Sequence, residues 1–155
     1  LGQHFFYSQG ELTFTYTKSG TVKELKAYTE YLIKGMETGL FDFVAHPDVF
    51  GVFYELWDGE AKACSRDIFE AAQSLKIPLE INAYGFRKGK REYDNTTRYQ
   101  YPLRPFWELG TQYNIEVLVN SDAHKPEDVT YQPRASELAK ELGFKIADLS
   151  YLEDR

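Results

Sequence analysis

Short apolar strand-like runs alternate with helix-like periodicity along the chain, and this alternation predicts an α/β fold of βαβ units around a parallel sheet. Two further observations support that class. The 155 residues are 43% hydrophobic and 27% charged, the ordinary composition of one cored domain. Residues with chemistry to offer also recur once per unit, just beyond successive strands.

The first helix is predicted over about Val22 to Glu37, where Leu25, Tyr28, Leu32 and Met36 recur at helical spacing before Gly39. Residues Phe41 to Ala45 read as a short strand ending at His46-Pro47. A second helix follows over about Glu60 to Leu75, with Ile68, Phe69, Ala72 and Leu75 on one face. Pro78 to Asn82 is the next strand, followed by a polar loop and a helix over Leu103 to Tyr113. The β-branched run from Ile115 to Val119 is a third strand, ending at Asn120-Ser121-Asp122. A last helix is expected over Pro133 to Leu142, with proline in its first turn and Gly143 beyond its end. A closed α/β barrel needs about 250 residues. The sequence therefore suggests part of such a fold, beginning near a strand end with an N-terminal portion missing or supplied by another chain.

A net charge of -6 argues against broad attraction to nucleic acid or to an anionic membrane, and leaves small anions as ligands of a local basic patch. No apolar run reaches the roughly 18 residues of a membrane span, and Leu1 to Gly10 lacks the pattern of a signal peptide. A soluble cytoplasmic protein is the expectation. The one cysteine, Cys64, excludes an intrachain disulfide and reads as a small, half-buried helix residue.

All three histidines fall just beyond strand-like runs, a distribution that favours a metal site over three separate structural roles. His46 lies 42 residues after His4, Glu80 and Asn82 follow 34 and 36 residues later, and Asp122 and His124 come 42 residues after those two. In parallel α/β folds such positions converge at the carboxyl ends of the strands. In Ser121-Asp122-Ala123-His124 an extended backbone would turn Asp122 and His124 to one side, towards a shared metal; a turn capped by Asp122 is the alternative. Pro47 biases His46 towards an extended backbone. Asp48 reads as a solvated turn residue outside the ligand set. Glu80 and Asn82 share one strand face, with structural hydrogen bonding as the rival to a role at the site. The run Arg87-Lys88-Gly89-Lys90-Arg91 suits a phosphate clamp, with Arg87 nearest the strand end; a solvated loop is the alternative. Phe5, Phe6, Tyr7, Phe14 and Tyr16 line a pocket for an organic leaving group or pack in the core. No glycine-rich phosphate loop, Cys-x-x-Cys pair or nucleophile elbow competes with the metal reading.

Leu1-Gly2-Gln3-His4, Phe41 to Asp48, Pro78 to Asn82 and Asn120 to His124 together resemble, in order, the PHP (polymerase and histidinol phosphatase) superfamily, in its histidinol-phosphatase-like branch. The resemblance implies the C-terminal part of a distorted (β/α)7 TIM-like barrel holding two or three divalent metals, zinc, manganese or iron, at its strand ends. It also implies that His4, His46, Asp122 and His124 are metal ligands; Arg87, from the cationic run, and Asn82, on its strand face, are the candidates to face a small phosphorylated substrate. The implied reaction is hydrolysis of a phosphate monoester, L-histidinol phosphate first, by a metal-bound hydroxide. The family's N-terminal His-x-His pair has no counterpart before His4, so this stretch alone is expected to be inactive. A metal- or phosphate-binding scaffold without turnover, another small ester as substrate, and self-association of an incomplete barrel are the alternatives.

Overall fold

The computed structural model describes residues 1–16, 20–93, 96–130 and 132–152. Its first hairpin pairs β1 (Phe5–Ser8) antiparallel with β2 (Glu11–Phe14). Gln9 and Gly10 turn the chain with positive φ at both positions, 54° and 85°, the handedness that suits a two-residue hairpin turn. Neither strand was legible as one, because Phe5, Tyr7 and Phe14 are exposed while Phe6 is fully buried, so no clean apolar face marks the ribbon. Of the aromatics expected to line a pocket or fill the core, Phe6 is core and Tyr16 alone lies beside a candidate ligand, His4.

Helix α1 (Val22–Glu37) has the predicted bounds, and a capping box seals its start. Thr21 Oγ1 accepts from the Glu24 N–H at 3.3 Å, and Glu24 Oε2 accepts from the Thr21 N–H at 2.6 Å. Leu25, Tyr28, Leu32 and Met36 face inward, as the periodicity requires. Helix α2 (Gly59–Leu75) begins at Asp58, whose carboxylate accepts from the Ala61 N–H at 2.9 Å. Its inner face buries Ile68, Phe69 and Ala72, and Cys64 is buried within it.

Strand β3 (Leu79–Asn82) pairs in parallel with β6 (Glu116–Asn120), and β6 with β7 (Lys145–Ile146). Two single-residue bridges continue the sheet in the same direction, Val44 to Leu79 and Ala45 to Gly2. The predicted strand over Phe41 to Ala45 is thus reduced to its last two residues; Phe41 lies at the surface, 39% exposed. The neighbours run Gly2, Val44–Ala45, β3, β6, β7, which is their order in the sequence, and all are parallel. A helix lies in each connection between them: α1, α2, α4 (Arg104–Gly110) and α5 (Pro133–Glu141). The result is a mixed α/β fold whose sheet does not close into a barrel among the described residues. No helix among those residues is long and apolar enough to cross a membrane.

Two expectations need correction. The segment after β3 is no simple polar loop: it forms α3 (Ala83–Arg87) and a second hairpin, β4 (Lys90–Tyr93) with β5 (Thr96–Tyr99). Asp48 is no solvated turn residue. It is fully buried, and its Oδ2 accepts from the Leu103 N–H at 2.6 Å and the Trp107 indole N–H at 2.9 Å. Burial pushes its carboxyl up to about 7, against the pull of those two donors.

The return segment from β5 to α4 packs hard on α3. A Cβ on Gly85 would stand 2.1 Å from the Tyr101 carbonyl oxygen, a backbone atom that cannot swing aside. Gly85→Ala is therefore expected to lower the unfolding free energy by about 1–3 kcal/mol in urea titration.

Candidate functional site at the strand ends

The parallel order brings the ends of successive strands side by side, and a hydrogen-bonded path runs across three of them. The His46 N–H donates to Glu80 Oε2 at 2.9 Å. Asn82 Nδ2 donates to the same Glu80 oxygen at 3.0 Å and to Asp122 Oδ2 at 3.1 Å. Asn82 Oδ1 accepts from the Tyr84 and Gly85 N–H groups, at 2.9 and 3.3 Å, and so caps α3. Asn82, expected to face substrate, thus has both faces of its amide engaged and positions its neighbours. Glu80 is held in the same path, and its burial raises its pKa.

His46 is 5% exposed, with burial and then the neighbouring His4 lowering its pKa to about 4. The imidazole is therefore neutral at physiological pH, the form that coordinates metals. Its Nδ1 is buried with no hydrogen-bond partner among the described residues. His4 is more exposed, and its ring lies 5.1 Å from that of His46. The Nε2 atoms of His46 and His4 stand 3.7 and 3.8 Å from the point a Cβ on Gly2 would occupy. Both Nε2 atoms thus border one position beside Gly2, at ordinary contact distance from a Cβ placed there.

Asp122 and His124 form the other end of the cluster, by a different route from the one expected. Asp122 has φ 46°, so the backbone is bent there and the extended alternation of Asp122 with His124 does not hold. His124 Nδ1 nevertheless lies 2.9 Å from the Asp122 carbonyl oxygen and 4.0 Å from its Oδ1. The ring stacks on Tyr84 at 4.2 Å and is largely exposed. Arg87, expected at the substrate, ties this bend to α3: its Nη2 donates to the Ser121 and Asp122 carbonyls at 2.7 and 3.1 Å, and its Nε lies 3.6 Å from Asp128 Oδ2.

Tyr84 and Tyr101 are the part that sequence reasoning missed; Tyr16 was among the aromatics it named. Each histidine has a tyrosine beside it: Tyr16 stacks on His4 at 5.7 Å, Tyr101 lies 6.0 Å from His46, and Tyr84 covers His124. Tyr16 reaches His4 because β2 folds back, the Thr15 N–H donating to the His4 carbonyl at 2.8 Å. Burial raises the pKa of both Tyr16 and Tyr101, so their hydroxyls keep their protons at neutral pH. Lys88 points among the three rings, its pKa lowered by partial burial against the opposing pull of Asp122. Tyr84 and Lys88 lie within six residues of Asn82 and were visible as neighbours; nothing local marks Tyr101.

The donor set is chemically suited to a divalent transition metal, with the imidazoles of His4 and His46 as one pair and the Asp122 carboxylate with the His124 imidazole as the other. The Nε2 atoms of His46 and His4, which border one position beside Gly2, fit a ligand role for that pair. No group of three or more His, Cys, Asp or Glu side chains placed to hold one ion occurs among the described residues. Compared with known proteins, the chain matches no family model, and no curated protein or solved structure matches it.

Proposed function

We propose that this chain supplies the C-terminal half of a metal-dependent phosphoesterase of the PHP class, its open sheet being an arc of a distorted (β/α)7 barrel. The observation that carries the reading is the path from His46 through Glu80 and Asn82 to Asp122, which links three successive strand ends in a single parallel order. Parallel α/β folds place their active sites at that edge. His4, His46, Asp122 and His124 would hold the metals, zinc, manganese or iron. Bound there, divalent ions supply Lewis acidity towards phosphoryl oxygens and an activated water nucleophile.

The chain's own residues have definite tasks in this reading. Glu80 fixes the bend at His46 by accepting its backbone N–H, and Asn82 aims the Asp122 carboxylate. Arg87 clamps the loop that carries Asp122 and His124, so its part in substrate binding is to hold that loop in place. Tyr101, 1% exposed, closes the floor behind His46 against water. The substrate is a small phosphate monoester, with L-histidinol phosphate the first choice.

The test is phosphate release by the full-length gene product with manganese or zinc, from L-histidinol phosphate and a panel of small esters. Turnover is expected, and His46→Ala is expected to reduce it by about a hundredfold or more together with metal content by elemental analysis. Absence of release from every ester would remove the phosphatase reading. Metal retention without turnover would favour the non-catalytic scaffold.

A further inference from the structure

Lys88 stands where the three histidine–tyrosine pairs meet. Its Nζ lies 4.8 Å from the ring centroids of both Tyr16 and Tyr84 and 5.1 Å from that of Tyr101. These rings come from three distant parts of the chain: the return from the first hairpin, helix α3 and the segment before α4. The nature of the contact matters. Ring faces hold an ammonium through the aromatic quadrupole and leave its N–H donors unspent, whereas a carboxylate would take a donor and cancel the charge. Among the described residues Lys88 has these ring faces and no ion pair or hydrogen bond. Asp122, the acid whose charge reaches it, is already bonded to Asn82. Neighbouring Arg87, by contrast, is engaged with two carbonyls and Asp128. Lys90 lies over Tyr99, away from the histidines, on the first strand of the second hairpin.

We propose that Lys88 is the anion-receiving group of this site, its ammonium held in a cage of Tyr16, Tyr84 and Tyr101 and donating to the oxygens of a phosphate-sized anion. The identification of that anion as the phosphoryl end of a substrate rests on the phosphoesterase reading; the anion site itself rests on the cage. A compact point charge on a flexible stem suits this task, because it follows the phosphoryl group while the planar guanidinium of Arg87 keeps the loop in place.

The experiment is calorimetric titration of the full-length protein with inorganic phosphate at constant ionic strength, comparing wild type, Lys88→Met, Lys88→Arg and Lys90→Met. Lys88→Met is expected to weaken binding about tenfold or more, the loss of a hydrogen bond from a charged donor. Lys88→Arg keeps the charge and is expected to stay within several-fold of wild type, and Lys90→Met within about twofold, because it lies outside the cage. Thermal melts of all four guard against unfolding as the cause. The proposal is overturned if wild type binds no phosphate, if a normally folded Lys88→Met binds it as well as wild type does, or if Lys90→Met loses as much. Lys88-dependent binding without ester turnover would retire the phosphatase reading and leave the anion site standing. Turnover with undiminished phosphate binding in Lys88→Met would do the reverse.

Discussion

Asp48→Ala is expected to destabilise the protein by about 3–5 kcal/mol in urea or thermal unfolding, because it strands two buried donors at once. The Leu103 N–H and the Trp107 indole N–H both converge on Asp48 Oδ2, and all three residues lie in the core. Through them Asp48 fastens the segment after the strand-end histidine to the start of α4, some 55 residues away. Asp48→Asn keeps an acceptor for both donors and separates charge from hydrogen bonding. Asp48 Oδ1 is buried without a partner, so an amide nitrogen placed there resembles the protonated acid. The pH dependence follows from a folded-state pKa of about 7. That value is above the ordinary carboxylate value of about 4. Between these limits the unfolded chain has released its proton and the folded chain has kept it, so ionisation favours unfolding. The stability associated with protonated Asp48 is complete below pH of about 4 and is lost as pH rises through about 7. Wild type is thus expected to lose stability relative to Asp48→Asn as pH rises from about 4 to 8, by a few kcal/mol at most. A difference between the two that does not change with pH would show that Asp48 is ionised throughout.

Asn82→Ala is expected to cost about 2–4 kcal/mol and, with it, the alignment of the strand ends. The substitution removes the acceptor that caps α3 and the donor shared by Glu80 and Asp122. Asn82→Asp distinguishes the two losses. It keeps an oxygen for the Tyr84 and Gly85 N–H groups but sets a third carboxylate against two others. If capping alone matters, the aspartate variant will match wild type in urea unfolding. If the link to Asp122 matters, it will fall towards the alanine variant, and unfolding curves measured side by side decide the point.

Helices α1 and α2 were legible in the sequence because their burial is periodic: both carry their inward residues at three- and four-residue spacing and begin at side-chain caps. Strand β6 was legible as a short β-branched run, and β3 as a short segment in which Leu79 and Ile81 alternate with Glu80 and Asn82. The ribbon of β4 and β5 was not, since Lys-Arg-Glu-Tyr facing Thr-Thr-Arg-Tyr has no apolar alternation to betray a strand. Asp48 was misread because an aspartate beside Pro47 has the local chemistry of a turn; the donors that make its burial tolerable, the Leu103 N–H and the Trp107 indole, are distant in sequence. The same limit hid the convergence of Tyr16 and Lys88, both singled out in the sequence, with Tyr84 and Tyr101, which share no spacing with them. At the site, the recurrence of polar residues after strands pointed to the right neighbourhood, while the partition into ligands and positioning groups depended on directions of individual side chains.

Two of the candidate ligands, His46 and Asp122, sit at positive φ, 35° and 46°. For a residue with a Cβ this backbone costs roughly 1 kcal/mol or more, and glycine would occupy it at little cost. Backbone conformation taken by itself favours glycine at both positions, and against it stand the burial of the His46 ring and the hydrogen bond that Asp122 accepts from Asn82. A gain in stability on replacing either with glycine, coupled to loss of the metal or the substrate, would mark these two bends as places where the sequence answers to chemistry before it answers to the fold.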